Sequence, residues 1–322
     1  MEVEMNTLAI DIAKAKFDVC ELQGQNYRYH SFENHEAGFK HLLKWFDASD
    51  LKACHICMEA TNSYGFDLAE FLYQQGFKLS LVNPASIKAF ANSELSRNKT
   101  DKLDAGLMAR FCAEKTPRLW HPATEYEQRF KALNRRFETL KDLKAQEQTR
   151  LNSERCADVK ASLEAHIAYL DEQVQALEAA LDTILKDIPE LKQKCDLLRS
   201  IPGIGKITAY QLIAEIPFAQ FETVNQLVAF AGLNPRQHQS GTFKGKTPIS
   251  KMGSARLRKA LYFPAISAMT WNPFILPLAQ PLKHKGHSQL SIICAAMRKL
   301  LHLAFGVIKH NQPFDPKYLH IP

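Results

Sequence analysis

From Leu163 to Ile188 the apolar residues Leu163, Ile167, Leu170, Val174, Leu177, Leu181, Ile184 and Ile188 recur four and three apart. A strand cannot use this pattern, because its side chains change face at every residue. A 3.5-residue period held for more than three heptads specifies a helix with one apolar seam. The flanking positions are mostly charged or polar, which favours a coiled coil over a globular helical bundle. Phe130, Leu133, Phe137 and Leu140 show the same spacing earlier. Residues 121–196 therefore read as a long helical hairpin that packs on itself or on another subunit. That stretch divides a chain of 322 residues, long enough for two or three cores.

The region before it, 1–120, alternates differently. Leu8–Ile12 and Phe17–Leu22 read as strands joined by a tight Ala-Lys-Ala-Lys turn, and Tyr27–Phe32 reads as a third. Phe39, Leu42, Leu43 and Phe46 return to helical spacing. Ile56–Met58 is a short buried strand, Leu68–Tyr73 a helix stopped at Gly76, and Phe77–Val82 another strand. Asn83-Pro84 starts a further helix, and Asp101–Glu114 makes one more. Three meandering strands followed by alternating helices and strands predict an α/β layered domain. The order matches a ribonuclease-H-like fold.

The last region, 197–322, is mainly helical, with loops rich in Gly, Pro and Lys. Residues 195–322 hold 15 Lys+Arg against 4 Asp+Glu, while the whole chain carries a net +7. A basic back half behind a mildly acidic front points to a polyanion partner. Ile201-Pro202-Gly203-Ile204-Gly205-Lys206 precedes an apolar helix and fits a helix-hairpin-helix, where glycines admit a phosphate and the helix start supplies free N–H groups. A purely structural turn is the other reading. Gly203, Gly205 and Lys206 are thus candidate nucleic-acid contacts, together with Arg236, Lys244, Lys246, Lys251, Arg256 and Arg258.

Seven cysteines, an odd number, argue against a disulfide framework and for a reducing compartment. Cys54 and Cys57 form a C-x-x-C, but three residues apart on a strand they point to opposite faces and cannot share zinc. No apolar run approaches a membrane span, and Met1-Glu2-Val3-Glu4 does not open a signal peptide. A cytoplasmic, nucleoid-associated protein is expected.

Four carboxylates sit at element ends: Asp11 closes the first strand, Glu59 follows Ile56–Met58, and Asp101 and Asp104 share one face of a helix. Carboxylates at that helical spacing repel by about 0.2–0.5 kcal/mol, a cost that a divalent cation turns into a gain. In a ribonuclease-H-like fold these ends meet at one edge, where four acids would hold a pair of Mg²⁺ ions through oxygen. Each acid alone reads equally as a solvated surface residue or a cap.

The chain resembles the DEDD transposases, which include the Piv-type invertases and the insertion-sequence family numbered one hundred and ten. The matching segments are Ile10-Asp11-Ile12-Ala13-Lys14, Glu59-Ala60-Thr61, Val82-Asn83-Pro84 and Lys99-Thr100-Asp101-Lys102-Leu103-Asp104-Ala105. In the back half they are Pro202-Gly203-Ile204-Gly205, Ala231-Gly232-Leu233-Asn234-Pro235, Ser240-Gly241, Ile249-Ser250-Lys251-Met252-Gly253 and Leu257-Arg258. Asn62 departs from the glycine common at that loop position, outside the ligand set. The resemblance implies a RuvC-like domain over 1–120 whose metal ligands are Asp11, Glu59, Asp101 and Asp104. It implies a transposase domain over 197–322 whose Ser240 attacks DNA and becomes covalently joined to it. It also implies donor and target DNA, a structured guide RNA encoded by the element, and a dimer or tetramer tied by the coiled coil.

By residues alone Ser240-Gly241 is equally a turn, so a RuvC-like junction endonuclease using water remains the alternative. A sugar-kinase-like phosphotransferase lacks a second Gly-rich segment here. A non-enzymatic scaffold leaves the acids unexplained, since carboxylates facing a polyanion are unfavourable without a cation. If the basic half binds nucleic acid, affinity falls steeply with salt. A filter-binding series from low to moderate salt checks this, and a flat response overturns it.

Overall fold

Leu8, Ala9 and Ile10 are completely buried in succession, so the first strand lies at the centre of a sheet covered on both faces. That strand, β1 (Thr7–Ile12), pairs antiparallel with β2 (Lys16–Gln23), which pairs antiparallel with β3 (Asn26–Glu33). On its other side β1 runs parallel to β4 (His55–Glu59), and β4 runs parallel to β5 (Lys78–Val82). The sheet order is β3-β2-β1-β4-β5. This computed structural model describes residues 6–46, 54–59, 63–94, 101–236, 239–240, 243–244 and 248–317, with the backbone alone at 101–103, 239–240 and 243–244. The strands fall where the alternating segments place them.

Helices α1 (Glu36–Trp45) and α2 (Phe66–Gln74) cover one face, and α3 (Pro84–Ser93) and α4 (Asp101–Lys115) the other. Asn83 caps α3 by accepting from the Ala85 N–H, with Pro84 at the first helical position. Alternate strand residues divide between two cores. Leu8, Ile10, Phe17, Val19, Ile56 and Met58 pack on the α1–α2 side. Ala9, Cys20, Leu22, Cys57 and Val82 pack with Ala105, Met108, Ala109 and Cys112 of α4 on the other. Cys54 and Cys57 lie in opposite cores, as strand geometry requires. Cys57 is instead joined to Cys112 by a disulfide with a Cα–Cα distance of 6.1 Å. The odd cysteine count argues against a disulfide framework; a single bridge is present, and α4 completes it across the face of the sheet. Cys20, Cys156, Cys195 and Cys294 are free thiols.

The chain divides into two compact units, Met1–Ala123 and Thr124–Pro322. The second opens with α5 (Glu125–Ser153), started by a capping box between Thr124 and Glu127. After a three-residue link, α6 (Ala157–Asp187) packs back along it. Of the heptad residues, Leu170, Leu181 and Ile184 are buried, whereas Leu163, Ile167, Val174, Leu177 and Ile188 are partly exposed. Next come α7 (Pro189–Arg199), α8 (Lys206–Glu215) and α9 (Val224–Ala231), then the two-stranded β6 (Gln239–Ser240) and β7 (Phe243–Lys244). Helices α10 (Ala255–Trp271), α11 (Leu276–His284) and α12 (Gln289–His310) close the unit.

One core joins the lower part of the α5–α6 hairpin to the helices that follow it. Phe130 and Phe137 of α5 and Leu181, Ile184 and Leu185 of α6 share it with Leu212, Leu261, Leu300 and Leu301. Arg135 of α5 donates two hydrogen bonds, of 2.6 and 2.9 Å, to the nearly buried Glu215 carboxylate that ends α8. The expectation that no segment reaches membrane-span length needs correcting at α12. This helix has 22 residues and is apolar enough to cross a bilayer by length and composition. Its apolar residues, Ile293, Ala296, Leu300 and Leu303 among them, pack into the core of the second unit.

Because α6 and the C-terminal helices share this core, Leu181→Ala should destabilise the whole second unit by about 2–5 kcal/mol. Denaturant unfolding followed by circular dichroism checks this. A loss confined to an independently melting hairpin would contradict a shared core.

Candidate active site

The sheet register brings acids together on one face. Asp11 shares its face with Ala9, and Glu59 shares its face with Cys57, because residues two apart on a strand point the same way. Both Ala9 and Cys57 belong to the core under α4. Asp11 and Glu59 each lie one residue beyond the parallel Ile10–Met58 pair, so they are neighbours at the C-terminal ends of adjacent strands. Both are partly buried. On the far side of β1, Asp11 stands directly opposite Asp18 of β2. Asp18 faces the same way, since Cys20 and Leu22 lie in that core. The residues Glu59, Asp11 and Asp18 thus form one row across three strands.

Asp104 precedes Ala105, which packs into the core beneath this face, and its side chain is partly exposed. Asp101 is the first residue of α4; its side chain lies outside the described residues. The helix is held to the sheet by the Thr7 hydroxyl donating to Ala109 O at 3.2 Å and by the Cys57–Cys112 bond. The strand and the helix that carry Glu59, Asp101 and Asp104 are therefore covalently linked. The donors are all carboxylate oxygens, a set suited to hard divalent cations. Sequence reading missed Asp18. The signal was the tight turn, where the Ala13 N–H donates to Lys16 O and so pairs residues equidistant from it, Asp11 with Asp18 included.

Among the described residues the carboxylates of Asp11, Asp18 and Glu59, which the strand register aligns, and of Asp104 form no group of three or more ligands with all donor atoms within 4.8 Å of one another. The one such group among them is His55, Cys57 and Cys112, all buried. The disulfide leaves it no thiolate to offer. His55 Nε2 lies 2.8 Å from Ser80 Oγ, which is within hydrogen-bond distance of the Pro117 and Arg118 carbonyls. Burial, and then the charge of Lys78, push the His55 imidazolium below its ordinary range.

The second unit presents a hairpin. Ser240 lies on β6, paired with Phe243 of β7. At its base Pro235 bridges to Ile249, the Arg236 N–H donates to Pro248 O and the Ser250 N–H donates to Asn234 O, each at 2.7 Å for the two hydrogen bonds. The Ser240 and Lys244 side chains, and Asn62, Gly241 and Lys246 entirely, lie outside the described residues. The glycine motifs lock beneath this base. Gly253 has φ +150° and sits against the Phe230 carbonyl and the Gly232 nitrogen, where a Cβ finds no room. Arg258 Nη1 donates to the Ala231 and Gly253 carbonyls at 3.0 and 3.1 Å, joining the two motifs.

Several expected nucleic-acid contacts have partners within the unit. Lys206 bonds Glu178 and Asp182 of α6 at 2.8 Å each, and those bonds raise its ammonium above the usual range. Arg256 pairs with Glu138. Gly203, at φ +104°, lies against Ala268 and Pro264 of α10, whereas a Cβ on Gly205 would meet nothing within 4 Å. Arg236 and Lys251 are exposed.

A transposase family model matches residues 8–184, and a model of the "Transposase IS116/IS110/IS902 family" matches residues 195–277. The pilin gene-inverting protein of Moraxella bovis is 34% identical over 96% of this chain and 98% of its own length, and that of Moraxella lacunata matches equally. The transposase for insertion sequence element IS1111A of Coxiella burnetii is 25% identical over 80% of this chain and 76% of its own. The chain belongs to the IS110 family of DEDD transposases. This transposase is accordingly an enzyme of DNA recombination, and DNA is its substrate. The first match spans the acid-bearing unit and the helical hairpin, and the second spans the Ser240 hairpin.

His55 gives a pH signature. Its folded pKa is lowered, so as pH falls below about 6.5 the unfolded chain takes up a proton that the folded chain resists. Stability therefore drops on acidification. Thermal melts from pH 7.5 to 5 should fall less steeply for His55→Asn than for the parent chain; parallel curves would contradict a buried neutral imidazole.

Proposed function

We propose that this transposase cuts and rejoins DNA at a composite site, in which a RuvC-like unit brings Mg²⁺ and the second unit brings Ser240. The observation that carries this is the placement of Asp11 and Glu59 side by side at the ends of parallel strands, on the face that α4 covers. The order β3-β2-β1-β4-β5, three antiparallel strands followed by two parallel ones, supports a ribonuclease-H-like reading. Asp11, Glu59 and Asp104, with Asp101 from the start of α4, would hold two Mg²⁺ ions. When bound, the ions supply Lewis acidity to the phosphodiester and stabilise the departing oxygen.

The protein's own part follows from its groups. Ser240 Oγ would give up its proton to solvent and bond to the scissile phosphorus, while the bond from phosphorus to a deoxyribose oxygen breaks and that oxygen takes up a proton from solvent to leave as a hydroxyl. One phosphodiester replaces another, so the joined DNA keeps the energy needed for rejoining. Arg236, Lys244, Lys246 and Lys251, close to the serine in sequence, would balance phosphate charge. Arg258 acts from below, by holding the hairpin base. A guide RNA that pairs with donor and target DNA would leave sequence choice to base pairing. The half-exposed heptad seam of α6 is read as a coiled-coil element that joins subunits into a dimer or tetramer. The pilin gene-inverting relatives favour testing inversion as well as transposition.

The test incubates protein, Mg²⁺, labelled donor and target DNA, and RNA transcribed from the element's flanks. A protein–DNA adduct on a denaturing gel that is lost in Ser240→Ala and in Asp11→Ala is expected. Cleavage without an adduct and indifferent to Ser240→Ala would make the enzyme a RuvC-like hydrolytic nuclease.

A further inference from the structure

Asp18 is a costly residue for its position. It stands directly opposite Asp11 in the antiparallel ladder, and like charges so placed destabilise a sheet. Aspartate is also among the poorest strand formers. A neutral β-branched residue at 18 would remove both penalties. The chain instead places a cation beside it. Lys16 Nζ lies 2.8 Å from Asp18 Oδ2, with side-chain exposures of 52% and 25%, and residues 16 and 18 share a strand face. The pair sits in the open part of the row rather than in the core, where hydration and charge exchange are both available.

Neighbouring strands are about 4.8 Å apart, so a cation held between Asp11 and Glu59 lies within about two strand spacings of the Asp18 carboxylate. At that range a single negative charge attracts a divalent ion appreciably even through solvent. The same holds, with opposite sign, for the Lys16 ammonium.

We propose that Asp18 is a fifth carboxylate of the metal centre, and that Lys16 neutralises it in the metal-free protein and weakens cation binding by doing so. This rests on the reading of Asp11 and Glu59 as metal ligands. Asp18 acts as a positioning residue: it holds negative charge, and the water that charge orders, on the β2 side of Asp11. The cation and Lys16 compete for that charge, so the lysine sets the concentration at which the centre fills.

The experiment titrates Mn²⁺ into the full chain without nucleic acid, following free Mn²⁺ by electron paramagnetic resonance. Asp18→Asn should weaken binding by about tenfold, and Lys16→Gln should tighten it several-fold. Tightening on removal of a surface lysine is an effect that a merely structural role for the pair does not produce. Asp11→Asn is the control and should abolish binding. If Asp11→Asn abolishes binding while Asp18→Asn and Lys16→Gln both match the parent chain, the inference is overturned and the four-acid reading stands. If Asp11→Asn leaves binding intact, the four-acid reading itself fails.

Discussion

Everything in the first unit depends on the hydrogen-bonded ladder around β1. With β2 antiparallel on one side and β4 parallel on the other, the ladder sends even-numbered residues of β1 into one core and odd-numbered ones into the other. Leu8 and Ile10 anchor the strand below, and Ala9 and Asp11 are left above. The apolar residues therefore do more than stabilise: their burial decides which way the carboxylates point. Helix α4 closes the upper face through Ala105, Met108 and Ala109, and the sulfur bridge to Cys57 keeps it there.

In the second unit the ordering force is the shared core of the hairpin and the C-terminal helices, seconded by ion pairs that join them. Acids on the hairpin, Glu138, Glu178 and Asp182, meet basic residues of the back half, Arg256 and Lys206. Part of the positive charge that marks this half is therefore balanced within the unit. Arg236 and Lys251, at the base of the Ser240 hairpin, stay exposed, as do Lys283 and Lys285 at the end of α11.

The strands were legible in the sequence because their apolar runs are short and local, as at Leu8–Ile12 and Phe17–Leu22; which face each residue takes follows only from the ladder. The position of the acids at element ends followed from the same reading. Contacts between distant segments were not legible. Cys112 is separated by 55 residues from Cys57, and no local pattern pairs them. Charge counting assigned Lys206 and Arg258 outward roles, since it cannot see Asp182 or the carbonyls of Ala231 and Gly253 brought near by folding. Asp18 is an intermediate case. Its partner was implied by the turn at Ala13–Lys16, but only once the strands were considered as a pair.

The alternation on β1 has a consequence for faulty copies of the chain. A slip of one residue in the pairing would turn Asp11 into the cavity now filled by Ile10, and would turn Ile10 out of it. Such a molecule would bury a carboxylate among Phe17, Met58 and Leu68 at a cost of several kcal/mol, comparable to the whole stability of a domain. Misaligned chains would thus be removed by unfolding and proteolysis instead of persisting as intact but catalytically dead subunits, which would otherwise poison any assembly they joined.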